Sequence, residues 1–352
     1  MDYLMLRNSL FYIIIPLVFV ALFVPIIKKT AIHVNALDIP NKRKVHKKPI
    51  PRLGGLAIVA GFLLGYMLFG EPSKLMNSIL IGSFIIVVTG MVDDIKPISA
   101  KVKFLFQALA VFVVVFYGKI TISQLSVFGY LIDFKWLTIP FTILFLLTCI
   151  NCMNFIDGLD GLASGICCIY FLTIGIISFV MGRFGIYYVI SLIIVGCTLG
   201  FLIHNFHPAD IFLGDSGSMF LGYMVGIVAL LGYKSVVLTS IIIPFLILAI
   251  PLLDVVFAIL RRKLKGESMT TPDKFHIHHQ ILNRTLSQRT TVLIIYLVQA
   301  MFSAAAVVYL LFSAKIGYIL YGVLMIIVII FTLTTNVIYD FPKKFHIIKR
   351  NS

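Results

Sequence analysis

The sequence predicts an all-α protein that crosses a membrane about eleven times, with its N-terminus outside and its C-terminus in the cytoplasm. The chain of 352 residues is 60% hydrophobic and 12% charged, whereas a soluble domain is about 25% charged. Its apolar residues form long stretches close to the length that spans a bilayer. Lys and Arg collect between alternate stretches, as in a polytopic helical bundle.

Eleven apolar stretches give the predicted helices in chain order. We place them at roughly 10–27, 53–69, 75–92, 103–117, 137–150, 162–181, 186–202, 216–232, 236–260, 290–312 and 316–338. No small-residue cleavage site follows the first stretch, and two lysines come after it. We therefore expect a retained helix rather than a signal peptide.

Positive charge determines the predicted orientation. The segments assigned to the cytoplasm hold 22 of the 29 Lys and Arg residues, at 28–52, 93–103, 261–290 and 339–352. This asymmetry follows the positive-inside rule. Anionic lipid and anionic substrates explain the net charge of +15, so we expect no nucleic-acid partner. The chain is predicted to be one membrane domain, 1–352, with catalytic loops on the cytoplasmic side at 28–52, 93–103, 151–161, 203–215 and 261–290.

Two adjacent acids, Asp93 and Asp94, end the third predicted helix. Neighbouring carboxylates repel each other, so one tends to keep its proton unless a cation stabilises both. The pair is therefore suited to binding a metal or to taking a proton from an incoming nucleophile. The alternative is a helix end with solvated acids, although acids are unfavourable at a helix C-terminus.

A second polar run follows the fifth predicted helix. Asn151, Asn154, Asp157 and Asp160 recur at three-residue spacing, which places them on one face of a helical turn. Gly158 and Gly161 allow a ligand to approach the backbone closely. The run predicts a ligand site. Asp160 could instead cap the sixth helix.

A third polar run, 204–218, precedes the eighth predicted helix. Asp215 lies between Gly214 and Gly217 and is followed by two serines, a pattern that exposes backbone N–H groups at a helix start. We expect Asp215 to bind a magnesium ion, with an ordinary N-cap as the alternative. Carboxylates beside glycine-rich turns at one membrane face are typical of a magnesium–pyrophosphate site.

Two basic loops complete the polar surface. The loop 261–290 contains three histidines, His276, His278 and His279, without the further ligands that a zinc site needs. Histidine and arginine donate hydrogen bonds to diphosphate oxygens. In 28–52, topology or lipid head groups explain most of the lysines, and contact of one lysine with substrate is the alternative. The role of Asp254 stays open.

Together these runs resemble the polyprenyl-phosphate N-acetylhexosamine-1-phosphate transferase superfamily. The motifs occur in the order of that family: Pro49-Ile-Pro51-Arg-Leu-Gly54-Gly55, Asp93-Asp94, the Asn151–Gly161 run, Asn205 to Ser218, and His276 to His279. The resemblance implies ten or eleven helices around a cytoplasmic cleft. It also implies transfer of a sugar-1-phosphate from a UDP-sugar to a lipid phosphate, with release of UMP.

The resemblance also implies roles for individual residues. Asp215 matches the magnesium ligand, Asp93 and Asp94 match the catalytic acid pair, and Asp160 matches a further active-site carboxylate. Positions lining the uridine pocket match Lys47, Asp157 and Asn205, and the ligand site of the second run adds Asn154 as a substrate-binding residue. Groups at the pyrophosphate and the amino sugar match Arg262, His276, His278 and His279.

Within the superfamily, the His-Ile-His-His and Pro-Ile-Pro-Arg-Leu-Gly-Gly runs resemble the branch that uses UDP-N-acetylglucosamine. We therefore expect undecaprenyl phosphate as acceptor, Mg²⁺ as cofactor with Mn²⁺ as a substitute, and a place in the bacterial inner membrane with the active site on the cytoplasmic face. A homodimer is a possible assembly. The alternatives are the phospho-N-acetylmuramoyl-pentapeptide branch and a secondary transporter. The downstream cell-envelope glycan stays open.

Overall fold

Helices make up most of the chain in the computed structural model, which describes residues 3–40, 48–127, 130–234, 277–285 and 287–334 and the single positions 252, 253, 256, 257, 259 and 262. The first five helices are α1 (Tyr3–His33), α2 (Gly54–Phe69), α3 (Lys74–Ile95), α4 (Ala100–Phe112, continued by a π-helical turn, Val113–Tyr117) and α5 (Thr138–Ile156). The next six are α6 (Leu162–Val180), α7 (Ile186–Asn205), α8 (Gly214–Lys234), α9 (Ile277–Thr285), α10 (Gln288–Leu311) and α11 (Ala314–Thr334).

The all-α membrane fold is confirmed. Ten of the eleven predicted helices are present with bounds close to those expected, and the ninth, 236–260, lies largely outside the described residues. Within the described chain, nine helical spans are long and apolar enough to cross a membrane, and α2 is a shorter apolar helix. The count of eleven spans and the orientation of the termini stay predictions.

Helix α8 lies at the centre of the bundle. Its apolar stretch is almost completely buried, whereas α1 and α11 expose most of theirs, as lipid-facing helices do. Two glycines let neighbouring helices approach the start of α8. A Cβ on Gly55 of α2 would lie 2.1 Å from the backbone nitrogen of Gly217, and one on Gly90 of α3 would lie 2.4 Å from that of Ser216. Small residues permit such contacts between membrane helices.

Two short antiparallel strand pairs lie outside the helices. Strands β1 (Leu37–Asp38) and β2 (Ile50–Pro51) pair with Leu37 opposite Pro51, and β3 (Gln124–Val127) pairs with β4 (Tyr130–Asp133) in the connection between α4 and α5.

The chain that follows β2 is hydrogen-bonded to the segment before α8. Phe212 N donates to Pro51 O at 2.8 Å, and Gly54 N donates to Phe212 O at 3.0 Å. These backbone bonds hold the start of α2 against the start of α8.

Candidate active site

The candidate site is built around the first turn of α8. Asp94, at the end of α3, accepts three hydrogen bonds from this turn: Asp215 N to Oδ1 at 2.8 Å, and Ser216 N and Ser216 Oγ to Oδ2 at 3.1 and 2.9 Å. The first N–H groups of a helix have no partner within it, and a carboxylate placed there is favourable. Asp94 therefore caps α8 from a neighbouring helix, and the interpretation of Asp215 as an ordinary N-cap is wrong.

Asp93 points to a lysine on the next helix. Its Oδ2 lies 2.8 Å from Lys103 Nζ, and its Oδ1 accepts a hydrogen bond from Ile98 N at 2.9 Å. Lys103 Nζ also lies 2.5 Å from Asp215 Oδ2. Both acids of the pair are buried, with exposures of 6% for Asp93 and 5% for Asp94. The alternative of solvated acids at a helix end is therefore wrong.

A second cation, Arg52, contacts the same acids from the other side. Its Nη2 lies 3.4 Å from Asp94 Oδ1 and 3.5 Å from Asp215 Oδ1, and its Nη1 lies 3.5 Å from Asp38 Oδ1. Burial alone would lower the pKa of the Arg52 guanidinium, but the nearby carboxylates outweigh burial and raise its pKa. The two carboxylate oxygens of Asp215 therefore face different cations.

Asp157 follows α5 and borders this cluster. Burial, together with the negative charges of Asp215, Asp94 and Asp160, raises the pKa of its carboxyl to about 8, although Arg52 acts to lower it. Among the described residues, this carboxyl has no hydrogen-bond or ion-pair partner. An acid that is crowded by other acids and lacks a donor is suited to binding a cation.

The donor set fits a magnesium ion. Across the described residues, no group of three or more His, Cys, Asp or Glu side chains forms a complete metal cage. Magnesium rarely uses such a cage, because it keeps several waters and binds through one or two carboxylates together with substrate phosphates. Asp157 and Asp215 supply two carboxylates, and Asp215 exerts the strongest of the charge effects on Asp157.

Asp160 holds the loop that leads to α8. Its Oδ2 lies 2.7 Å from His207 Nδ1 and accepts a hydrogen bond from Ala209 N at 3.1 Å. The alternative of Asp160 as the cap of α6 is wrong, because Gly161 occupies that position with a φ of +77° and no side chain caps the helix.

The two predicted amide residues contact protein groups. Asn205 is buried, its Oδ1 accepts a hydrogen bond from Ser164 Oγ at 2.9 Å, and its Nδ2 donates to Ile211 O at 2.9 Å. Asn154 Nδ2 donates to Ser218 Oγ at 2.9 Å. Both side chains connect helices around the site, and their contact with substrate stays a prediction.

Five predicted residues are not placed at the site. Lys47 and His276 lie outside the described residues, and for His278 and His279 only the backbone of α9 is described. Arg262 is partly buried in a segment of which only single positions are described. Their roles stay predictions.

Four residues at the site had no individual role in the sequence prediction, namely Asp38, Arg52, Lys103 and His207. Arg52 was part of the motif 49–55 and His207 was part of the polar run 204–218. The two cations were visible, but they were counted as topology-determining charges. Lys103 lies near the start of α4, the helix that follows the acid pair, and Arg52 directly precedes Leu53 and the paired glycines. A bundle that buries several acids needs cations nearby, which was the available signal.

Comparison with known proteins gives a consistent result. The family model described as "Glycosyl transferase family 4" matches residues 76–233. A Bacillus subtilis (strain 168) protein described as "Probable undecaprenyl-phosphate N-acetylglucosaminyl 1-phosphate transferase" is 41% identical over 90% of this chain and 88% of its own length.

Two further relatives cover most of the chain. The decaprenyl-phosphate N-acetylglucosaminephosphotransferase of Mycolicibacterium smegmatis is 32% identical over 87% of this chain and 83% of its own length. The undecaprenyl-phosphate alpha-N-acetylglucosaminyl 1-phosphate transferase of Escherichia coli K12 is 30% identical over 82% of this chain and 80% of its own length.

Proposed function

This chain belongs to glycosyl transferase family 4, and from that premise we propose that it transfers N-acetylglucosamine-1-phosphate from UDP-N-acetylglucosamine to undecaprenyl phosphate. The products are undecaprenyl-diphosphate-N-acetylglucosamine and UMP. The observation that carries the proposal is the cluster of Asp93, Asp94, Asp157 and Asp215 around two cations at the start of α8. The names of the relatives support this transferred group and this type of acceptor.

The proposed reaction is a direct displacement at phosphorus. A phosphate oxygen of the lipid attacks the β-phosphorus that carries the sugar, and a new P–O bond forms. The bond from that phosphorus to the bridging oxygen breaks, and its electron pair leaves with UMP. Two anions must meet, so the site must offset their charge. Lys103 and Arg52 supply positive charge next to Asp215, and catalysis consists mainly of positioning and electrostatics.

Asp157 and Asp215 are the residues that would hold Mg²⁺, which when bound neutralises charge on the diphosphate. The two acids at the end of α3 then have separate roles. The Asp94 side chain is fully buried and caps α8, whereas that of Asp93 keeps 8% of its surface exposed. We therefore assign to Asp93 the acceptance of a proton from the lipid phosphate.

The site is proposed to open on the cytoplasmic face of the bacterial inner membrane. The acids contact Arg52 of the segment 28–52 and Lys103 of the segment 93–103, and the positive-inside rule places both segments in the cytoplasm. Similarity to proteins named as transferases across most of the chain favours this function over a secondary transporter.

A purified-protein assay tests the proposal. Protein in detergent is given UDP-N-acetylglucosamine, undecaprenyl phosphate and Mg²⁺, and UMP release is measured. We expect release that requires all three components. UDP-N-acetylmuramoyl-pentapeptide offered in place of UDP-N-acetylglucosamine is the competing donor. The proposal is contradicted if UMP is released with the competing donor but not with UDP-N-acetylglucosamine, or if UMP is released with neither donor.

A further inference from the structure

We propose that Arg52 is a positioning residue for this transfer, holding Asp215 in place and connecting it, through Asp38, to the strand pair β1–β2. The inference rests on the proposed function and adds a residue that acts through Asp215. The contacts of the guanidinium and of the Arg52 backbone carry it.

The guanidinium of Arg52 reaches acids on both sides. Its Nη2 lies between Asp94 Oδ1 and Asp215 Oδ1, at 3.4 and 3.5 Å, while its Nη1 lies 3.5 Å from Asp38 Oδ1. The guanidinium is a planar fork with fixed donor directions, which suits it to contacts of this kind. Because Lys103 contacts the other oxygen of Asp215, Arg52 determines how the Oδ1 side of that carboxylate is held.

The backbone of Arg52 is itself held from two sides. Arg52 N donates to Ala36 O at 3.0 Å, next to β1, and the preceding carbonyl, Pro51 O, accepts from Phe212 N at 2.8 Å. The backbone that carries the Arg52 side chain is therefore held by hydrogen bonds on both sides. The side chain itself is 27% exposed. This anchoring limits the positions that the guanidinium can occupy.

Asp38 extends the connection to the basic segment between the strands. In the β1–β2 pair Asp38 lies opposite Ile50, so the two strands hold both ends of residues 39–49. That segment contains four lysines, an arginine and a histidine, Lys42, Arg43, Lys44, His46, Lys47 and Lys48. The contacts of Arg52 therefore connect the strand pair β1–β2, from which this basic segment leaves, to the proposed magnesium ligand, Asp215.

The first experiment separates position from charge. Wild-type protein, Arg52→Met and Arg52→Lys are compared by kcat and KM for UDP-N-acetylglucosamine. A misplacement of about 1 Å costs about 10²-fold in rate, so we expect kcat to fall about 100-fold in Arg52→Met. Because lysine lacks the fork, Arg52→Lys should restore less than about a tenth of the wild-type kcat. Full recovery in Arg52→Lys, or unchanged kcat in Arg52→Met, overturns the inference.

The second experiment tests the connection through Asp38. We expect Asp38→Asn to lower kcat about 10-fold in the wild-type background and to have a clearly smaller effect in the Arg52→Met background, because the effect on Asp215 passes through Arg52. Additive effects overturn the connection. Asp38→Asn is a near-isosteric change, so it keeps the inference testable if Arg52→Met fails to fold.

The matched control is another ion pair at the same end of the bundle. Lys28 Nζ lies 3.2 Å from Asp210 Oδ1, and both side chains are exposed. Exposed pairs contribute little, so Lys28→Met should keep the wild-type kcat. A loss in Lys28→Met equal to that in Arg52→Met would show a general effect of charge and overturn the inference. A wild-type protein that releases no UMP overturns the proposed function and the inference with it, whereas a wild-type rate retained in Arg52→Met overturns the inference alone.

Discussion

Individual acidic side chains have different roles in the candidate site. Asp94 has both oxygens bonded to the first turn of α8 and shapes the backbone there. Asp215 has its oxygens near two cations, and Asp157 has no hydrogen-bond or ion-pair partner among the described residues. These three acids therefore differ in what a neutral replacement should change, namely stability, turnover or the dependence on pH.

Asp215→Asn should lower turnover at least about 100-fold without unfolding the protein. Lys103 keeps its contact with Asp93, and Arg52 keeps its contacts with Asp38 and Asp94, so no buried cation is left without a partner. Loss of one preorganised charge typically costs about 10²–10³-fold in kcat. UMP release and the Tm in detergent check this prediction. Normal turnover would reject Asp215 as the magnesium ligand.

Asp94→Asn should instead destabilise the fold. An amide has one acceptor oxygen, so its NH₂ group would face either the Asp215 N–H, which now points to Oδ1, or the Ser216 N–H, which now points to Oδ2. Leaving buried donors unpaired costs about 1–3 kcal/mol. The measurement is the Tm in detergent, which should fall by several degrees relative to that of Asp215→Asn. Equal Tm values for the two variants would contradict the capping role.

Asp157→Asn should change how stability depends on pH. The pKa of Asp157 is raised from 3.8 to about 8 in the folded protein, so the folded state binds a proton that the unfolded state releases above about pH 4. The contribution of Asp157 to the free energy of unfolding is therefore fully present below about pH 4, and it is lost as the pH rises to about 8.

Without divalent cations, we accordingly expect Asp157→Asn to have a higher Tm than the wild type at pH 9 and a smaller advantage at pH 6. Thermal unfolding in detergent with a chelator measures both values. A difference that does not depend on pH would contradict the crowding of Asp157 by other acids.

Pairs of helices bring these side chains together through close backbone contacts. Gly90→Ala should force α3 away from the first turn of α8, because the new Cβ would lie 2.4 Å from Ser216 N. Overpacking of this kind costs about 1–3 kcal/mol, and the shift would also displace Asp94 from its cap. The matched control is Gly322→Ala on α11, where a Cβ meets nothing within 4 Å.

We expect Gly90→Ala to lower both the Tm and UMP release, and Gly322→Ala to leave release unchanged. Equal behaviour of the two variants would show that the α3–α8 contact does not determine the site.

The helices themselves were largely predictable, because each is a long apolar run. The end of α5 was placed at 150 rather than Ile156, since Asn151 and Asn154 interrupt the apolar pattern that marks a membrane helix. Within the bundle Asn151 Nδ2 donates to Gln107 Oε1 at 2.9 Å, so the polar residue is satisfied inside the helix. The pattern could not indicate that partner.

The arrangement of the site was predictable only in part. The three acidic runs do converge, as expected from their places at helix ends. The cap that Asp94 gives to α8 comes from a residue 121 positions earlier in the chain, and no local motif encodes such a contact. The assignment of Arg52 and Lys103 to the site also required the tertiary structure, because positive charge near a membrane has a simpler topological explanation.

In the described part of the molecule, helix α5 runs between two faces of the bundle. Helix α5 separates Trp136, which precedes it and is 81% exposed, from the acids that follow it. Asp210 lies in the loop before α8, beside the candidate site, and its side chain is 64% exposed. All five native cysteines are buried thiols, so they should react slowly with a polar thiol reagent.

Labelling of single new cysteines therefore tests the predicted orientation. The positive-inside distribution places Asp210 in the cytoplasm and Trp136 outside. A membrane-impermeant maleimide should label Trp136→Cys in intact cells and Asp210→Cys only in inverted vesicles, with the wild type as the unlabelled control. The opposite pattern would place the acid cluster outside, where a cytoplasmic nucleotide-sugar donor could not reach it.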